Sequence, residues 1–239
     1  GEYEGLYLMI ETVNEDFFRR RGIMPANLYK AARGAAYFSF DDSYDPRMGF
    51  EKKINKNDNY SDLEKLMFIV DSARDNDFCD KIESVLNIDN TLRYMAISFL
   101  LDNCDGIFHN FYLFNNPDTN LFEFIPWDLD ITFCYADINI ELNNIDNEKE
   151  SKLFSRILAN EHYRRRYADI MLSLLENEFS PENIAIAVER KIDIIHADYA
   201  NDPYINICSY DLSAQGDVIT DYVAWKHEQA RLQLDDFIR

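Results

Sequence analysis

The sequence predicts an α+β fold with a β-rich N-terminal part, a central β-hairpin and a mainly helical C-terminal part. Short aromatic and β-branched runs dominate the first 60 residues, which is typical of strands. From residue 61 onward apolar residues recur at helical spacing, interrupted by two strand-like runs around Asn116-Pro117-Asp118. We expect a single domain over residues 1–239, with a small β-rich part at 1–60 and a larger helical part at 61–239.

The composition is strongly acidic, with 24 basic and 44 acidic side chains and a formal net charge of −20. Such a surface repels phosphate backbones, so we expect no nucleic-acid partner, whereas a basic protein partner is compatible with it. ATP is not excluded, because Mg²⁺ held by carboxylates can bridge acidic side chains and phosphates. No apolar run approaches the roughly 18 residues of a membrane span.

Cysteine spacing and the first residues carry little functional information. The four cysteines, at 79, 104, 134 and 208, form no C-x-x-C pair, so a zinc site is not expected. The sequence opens on Gly-Glu-Tyr without a Met or a signal peptide, which we interpret as a trimmed start. The compartment is therefore not determined by the sequence.

In the N-terminal part, aromatic and β-branched runs predict strands and one short helix. The helix is expected at 14–21 and is ended by Gly22, and a polar turn is expected at 41–46. The strands are expected at 5–13, 27–30, 34–40 and 50–54.

In the C-terminal part, Ser61-Asp-Leu-Glu64 matches a capping box and predicts the start of an amphipathic helix. A second helix is expected at 89–101, and Ser180-Pro181 predicts a further helix start. The remaining expectations are hairpin strands at 108–115 and 121–126, an acidic loop at 137–150 and helices from 152 onward.

The segment from Asp102 to Phe133 carries the residues that indicate chemistry. Asp105 and Asn110 have the D-x-x-x-x-N spacing of a kinase catalytic loop, in which the Asp accepts the proton of the attacking hydroxyl and the Asn binds Mg²⁺. Asp128 follows the predicted hairpin, as a metal-binding Asp does in kinases. The spacing alone also fits a turn rich in Asp and Asn. Asp102 is expected to lie in the same turn without a role in turnover.

Asp128-Leu-Asp130 is a D-x-D motif, which places two carboxylates on one side of an extended segment. Oxygen ligands of this kind suit a hard cation such as Mg²⁺, with Mn²⁺ as an alternative. Glycosyltransferases that use nucleotide sugars employ D-x-D in a similar way. Two solvated loop carboxylates are the alternative without function.

Several motifs together resemble the CotH (spore coat protein H) kinase family, most distinctively Pro126-Trp-Asp-Leu-Asp130. The resemblance implies an atypical protein-kinase-like fold and Mg-ATP-dependent phosphorylation of Ser residues in a protein substrate, Ser-rich or basic. It also implies a spore coat or cell-surface location. The other similar segments are Gly5–Glu11, Asn27–Lys30, Phe50–Lys53, Leu153–Leu158, Tyr163–Tyr167 and Phe179–Glu182.

The sequence departs from kinases in two respects. It contains no G-x-G-x-x-G loop, and Asp102-Asn-Cys stands where kinases have H-R-D. The family roles carry over most directly to Asp105 as base and to Asn110 and Asp128 as metal ligands, with Asp130 as a further ligand. Either Lys30 or Lys53 is expected to contact phosphate, with either Glu11 or Glu64 as its ion-pair partner; the sequence does not choose between them.

The sequence is compatible with three functions. The first is an active atypical kinase. The second is a catalytically inert module of the same fold that acts through surface interactions, which the missing glycine-rich loop favours. The third is a metal-dependent glycosyltransferase using Asp128 and Asp130, although no βαβ series precedes them.

Overall fold

The computed structural model describes residues 4–32, 36–38, 45–103, 105–135, 139–142, 148–204 and 211–238. Within these residues three helices separate the first two strands from the last two, four helices follow the last strand, and short 3₁₀ helices lie at Pro46–Met48 and Asp105–Ile107. The strands are β1 (Leu28–Ala31), β2 (Phe50–Ile54), β3 (Phe111–Asn116) and β4 (Leu121–Pro126). The helices are α1 (Glu15–Arg20), α2 (Ser61–Ser72), α3 (Asp75–Glu83), α4 (Ile88–Leu101), α5 (Glu148–Leu158), α6 (Glu161–Glu176), α7 (Pro181–Ala200) and α8 (Leu212–Phe237).

The four strands form one antiparallel sheet in the order β2-β1-β3-β4. Lys30 of β1 lies opposite Glu51 of β2 on one side and Tyr112 of β3 on the other. β3 and β4 form a hairpin in which Phe111 pairs with Pro126 at the open end. The open end of this hairpin therefore lies beside Lys30.

One face of the sheet contacts the helices and forms the main hydrophobic core. Phe111 and Phe124 lie 5.1 Å apart between ring centroids, and Tyr94 of α4 stacks on Phe124 at 4.7 Å. These side chains are almost fully buried. The apolar faces of α2, α4, α5, α6 and α8 complete the cluster, and burial of this area stabilises the fold.

The other face of the sheet is covered by α1 and the residues before it. A smaller cluster forms there around Phe18, whose ring stacks on Phe114 at 4.1 Å. Asn14 caps α1 by accepting hydrogen bonds from the backbone amides of Asp16 and Phe17. Lys30 and Tyr112 lie on this face, toward the open end of the hairpin.

Several predicted elements are confirmed. The short helix before Gly22, the strands at 27–30 and 50–54, the helix at 89–101 and the hairpin all occur within about three residues of the expected bounds. Ser180 caps α7 and accepts a hydrogen bond from the Asn183 amide, with Pro181 at the first helical position.

Other predictions are wrong. The segment 5–13 forms no strand, and its apolar side chains from Leu6 to Ile10 are exposed; Leu8 is 86% and Met9 95% exposed. The capping box at Ser61 is also wrong, because Tyr60 occupies the N-cap position and makes no side-chain cap hydrogen bond. Helix α3 was not expected. Of the strand predicted at 34–40, residues 36–38 form none and the others lie outside the described residues.

The mixed α and β content confirms the α+β class. The predicted division at residue 60 remains a prediction, and the sheet takes two strands from each side of it. Of the predicted acidic loop, residues 139–142 are irregular and 148–150 belong to α5, while the rest lies outside the described residues. None of the described helices combines the length and the apolar character that crossing a membrane requires.

Candidate active site

The candidate site begins where α4 ends. Asp102 adopts a left-handed backbone conformation, with φ 51° and ψ 41°, and this stops the helix. The Asn103 amide donates to the carbonyl of Ser98 at 2.9 Å, which satisfies a carbonyl at the helix end. The chain then turns through the 3₁₀ helix at Asp105–Ile107 and enters β3.

Asp105 and Asn110 lie together, as their spacing predicts. The side-chain amide of Asn110 donates to Asp105 Oδ2 at 2.6 Å, and the His109 backbone amide donates to the Asp105 carbonyl at 2.8 Å. Asp105 Oδ1 is buried and has no hydrogen-bond partner among the described residues. A buried acceptor without a partner is costly, so this oxygen is suited to accept a hydrogen bond from a bound hydroxyl.

The electrostatic surroundings of Asp105 favour its protonated form. Burial raises the pKa of the Asp105 carboxyl above its usual value, and the negative charge of Asp130 raises it further. The charge of His109 and the hydrogen bond from Asn110 act in the opposite direction. A carboxyl with a raised pKa is a stronger base once it is ionised, which suits proton transfer.

Gly106 allows the loop to lie close to α4. A Cβ at this position would come within 2.1 Å of Asn103 Nδ2 and 3.0 Å of the Tyr94 hydroxyl oxygen. The Tyr94 hydroxyl donates a short hydrogen bond to the Gly106 carbonyl. Gly106, the residue after Asp105, therefore packs closely against the buried side chains of Asn103 and Tyr94.

The hairpin brings Trp127, the residue before Asp128, into contact with Asn110. The Trp127 backbone amide donates to the carbonyl of Asn110 at 3.1 Å, one step beyond the Phe111–Pro126 pair. Asp128 follows directly, with a positive φ of 58°. Asp128 and Asp130 are both exposed.

The chain after Asp130 returns to the end of α4. The Phe133 amide donates a hydrogen bond to the Leu101 carbonyl at 2.9 Å. The Cys134 thiol donates to the Asp102 carbonyl oxygen at 3.7 Å. The loop that carries Asp105 and the segment that carries Asp130 are thus attached to one helix end.

The prediction that Asp102 has no role in turnover stays a prediction, but its side chain makes a buried contact that was not predicted. Its side chain is 0% exposed, and its carboxylate accepts a hydrogen bond from Lys226 of α8 at 2.6 Å. Lys226 is not among the site residues predicted from the sequence. The available signal was its i, i+4 spacing with Tyr222 and Ala230, which places a lysine on an apolar helix face.

The two candidate lysines have different surroundings. Lys30 Nζ lies 5.4 Å from the ring centroid of Trp127 and 5.9 Å from that of Tyr112. Lys53 Nζ instead forms an ion pair with Glu51 at 2.7 Å. Lys30 is therefore nearer to the open end of the hairpin.

The two acidic residues suggested as partners of these lysines do not pair with them within the described residues. Glu11 forms ion pairs with Arg21 at 2.8 Å and Arg20 at 3.3 Å. Glu64 makes no ion pair in this part of the chain, and its charge acts on the buried Tyr29. The expectation that Glu11 has a cationic partner is confirmed, with arginines in place of a lysine.

A cleft of about 420 Å³ opens beside the acidic motif. One wall comes from the N-terminal segment and α1, and the other from the end of β4 and the D-x-D motif. Its walls are mainly apolar, with carboxylates at one side. The lining includes Leu8, Ile10, Val13, Phe17, Trp127, Asp128 and Asp130.

The donor atoms near the hairpin fit a hard cation that prefers oxygen ligands. Asn110 points its amide nitrogen at Asp105, which leaves its amide oxygen as the potential ligand. Within the described residues no three His, Cys, Asp or Glu side chains lie close enough to form a metal cluster. A cation at this site would therefore rest on Asn110 with Asp128 and Asp130, together with oxygens of a bound substrate.

The fold and the site define an α+β protein with a hydrogen-bonded Asp–Asn pair before a β-hairpin and a D-x-D motif directly after it. The chain belongs to the CotH family, since the family described as CotH kinase protein matches residues 1–230. It is 26% identical over 232 residues to the inner spore coat protein H of Bacillus subtilis (strain 168). That match covers 93% of this chain and 64% of the relative, so the chain spans slightly less than two thirds of the relative's length.

Proposed function

We propose that this domain is an atypical protein kinase that transfers the γ-phosphoryl group of Mg-ATP to a serine of a protein. The observation that carries the proposal is the hydrogen-bonded pair Asp105–Asn110, in D-x-x-x-x-N spacing, beside Asp128 at the open end of a hairpin. The order of Asp, Asn, hairpin and Asp is that of kinase active sites. Membership of the CotH kinase protein family supports the proposal.

In the proposed reaction the serine oxygen bonds to the γ-phosphorus while the bond to the β–γ bridging oxygen breaks. ADP leaves, and Asp105 accepts the serine proton on its unpartnered Oδ1. Asn110, Asp128 and Asp130 would hold Mg²⁺, which supplies charge neutralisation for the phosphates. Most of the rate enhancement would then come from positioning the two reactants.

The cleft beside Trp127 supports a nucleotide rather than a larger ligand at this site. Its mainly apolar walls suit a purine ring, and its carboxylate side suits metal-bound phosphates. Lys30 next to Trp127 is the lysine that we assign to phosphate contact. Lys53 has weaker support as the phosphate contact, because it already forms an ion pair with Glu51.

The partner that we propose is a basic or Ser-rich protein. The net charge of −20 favours a basic acceptor by electrostatic steering. The relative is named as an inner spore coat protein, which supports association with the spore coat for this chain as well. The acceptor would then be a coat or surface protein.

Thermal shift and labelled transfer test the function. Mg-ATP should raise the melting temperature, since a ligand that binds only the native state stabilises it. Transfer of label from γ-labelled ATP to a Ser-rich basic acceptor should follow. Stabilisation without transfer would identify an inert nucleotide-binding module. Stabilisation by Mn²⁺ with a nucleotide sugar, and none by Mg-ATP, would identify a glycosyltransferase.

A further inference from the structure

A buried ion pair joins the last helix to the start of the candidate catalytic loop. Lys226 Nζ of α8 and Asp102 Oδ1 lie 2.6 Å apart, although 124 residues separate them in sequence. The two side chains are only 1% and 0% exposed. Lys226 Nζ also lies 4.1 Å from the centroid of the Phe99 ring in α4.

The neighbouring turn of α8 contacts the same helix end. The Tyr222 hydroxyl, which is buried, donates to the Leu100 carbonyl at 2.9 Å. Carbonyls in the last turn of a helix have no partner within the helix, so α8 satisfies one of them and Asp102 at once. The end of α4 is thereby held by Tyr222 and Lys226 together.

Both parts of the candidate site depend on that helix end. Asp102 leads directly into the loop that carries Asp105, and Phe133, which follows the acidic motif, donates its amide to Leu101. A shift of the α4 end would therefore move Asp105 relative to Asp128 and Asp130.

A buried ion pair is a poor choice for stability alone, because desolvation of two charges offsets much of their attraction. Apolar side chains of similar volume could fill the same space. What an ion pair provides in addition is one defined geometry for the groups that it joins.

We propose that Asp102 and Lys226 are positioning residues for phosphoryl transfer, which fix the catalytic loop and the acidic metal-binding segment relative to each other. The proposal rests on the proposed function. The C-terminal helix is then part of the active-site scaffold.

The test compares two variants with a matched control. Lys226→Met removes the cation, and the double variant Asp102→Asn/Lys226→Met removes both charges. Asn tolerates the left-handed backbone at position 102, so the helix still ends there. Lys152→Met is the control, since Lys152 pairs with Asp71 between α5 and α2.

We expect Lys226→Met to lower the melting temperature and the double variant to regain most of that loss, because no buried charge is then left unpaired. Both should lower kcat by roughly 10- to 100-fold, with the KM for ATP changed less than about threefold, since a small misplacement of reacting groups affects mainly the chemical step. Lys152→Met should leave kcat unchanged. A double variant that regains wild-type kcat along with its stability would overturn the proposal.

A second readout does not depend on activity. The amides of His109 and Phe133 should exchange hydrogen at least about tenfold faster in the double variant than in the wild type, while that of Leu113 in β3 is unchanged. If the wild type transfers no label, the proposed function fails. The hydrogen exchange of His109 and Phe133 then still shows whether the ion pair fixes the loop and the acidic segment. Equal protection of His109 and Phe133 in both proteins would reject that role.

Discussion

The backbone amide of Trp127 donates a hydrogen bond to the carbonyl of Asn110 at 3.1 Å. This contact extends the β3–β4 ladder by one step beyond Phe111 and Pro126. It brings Trp127, the residue before Asp128, to Asn110, although Asp128 and Asn110 are separated by 17 residues of the chain. The hairpin thus brings the backbone of the D-x-D segment to the end of the loop that carries Asp105 and Asn110.

Asp128→Asn should abolish transfer from Mg-ATP and leave the fold intact. Asp128 is exposed, and Asn tolerates its positive φ of 58°, so the free energy of unfolding should change by less than about 0.5 kcal/mol. Removal of one of several clustered negative charges should raise the melting temperature slightly without metal. Calorimetry in EDTA and a transfer assay check both statements. An unfolded variant, or one with full transfer, would show that Asp128 is not a metal ligand.

Lys30→Met should raise the KM for ATP by about tenfold or more, whereas Lys53→Met should change it less than about twofold. The reason is that Lys30 lies near the Trp127 ring at the open end of the hairpin, while Lys53 is paired with Glu51. Steady-state kinetics of the two variants at saturating acceptor decide between them. The reverse order of effects would assign phosphate contact to Lys53.

Asp62→Asn should make the free energy of unfolding change less as the pH falls through the acidic range. Burial would raise the pKa of the Asp62 carboxyl, but hydrogen bonds from Asn27, Tyr29 and Asn115 outweigh it and lower the pKa. An acid with a lowered folded pKa stabilises the protein above its unfolded pKa of about 3.9, and this stabilisation is lost as the pH falls through the folded value.

Urea unfolding from pH 7 to pH 2.5 measures this effect. The wild type should be more stable than Asp62→Asn by about 1–3 kcal/mol near neutral pH, and the difference should shrink below about pH 4. Asp118→Asn, in the exposed hairpin turn, serves as the control and should follow the wild type. A difference that is independent of pH would mean that the charge of Asp62 plays no part.

Elements with strong local signals could be predicted from sequence. Helix α4 has apolar residues at three- and four-residue spacing, and the hairpin has a clear turn between two aromatic strands. Helix α3 was missed because Phe78 and Ile82 are its only buried residues, which is too few for a visible period. The segment 5–13 has strand composition, but a strand also needs a partner, which composition does not reveal.

The site was predictable only where its residues are close in sequence. The five-residue spacing of Asp105 and Asn110 indicated a shared loop, and the hairpin indicated where Asp128 would lie. The different surroundings of Lys30 and Lys53 depend on the strand register and on contacts with Trp127 and Glu51, which the sequence does not specify. The pairing of Asp102 with Lys226 joins residues 124 apart, and no local pattern specifies such a contact.

The most direct test of the account is transfer of label from γ-labelled ATP by the wild type, Asp105→Asn and Asp118→Asn. An amide at 105 keeps the shape of the carboxylate but cannot accept the serine proton. General bases contribute roughly 10²–10⁴-fold, so turnover by Asp105→Asn should fall by that factor while its ATP affinity changes less than about tenfold. Asp118→Asn should match the wild type. Full turnover by Asp105→Asn, or no transfer by the wild type to any Ser-rich basic acceptor, would contradict the proposed kinase.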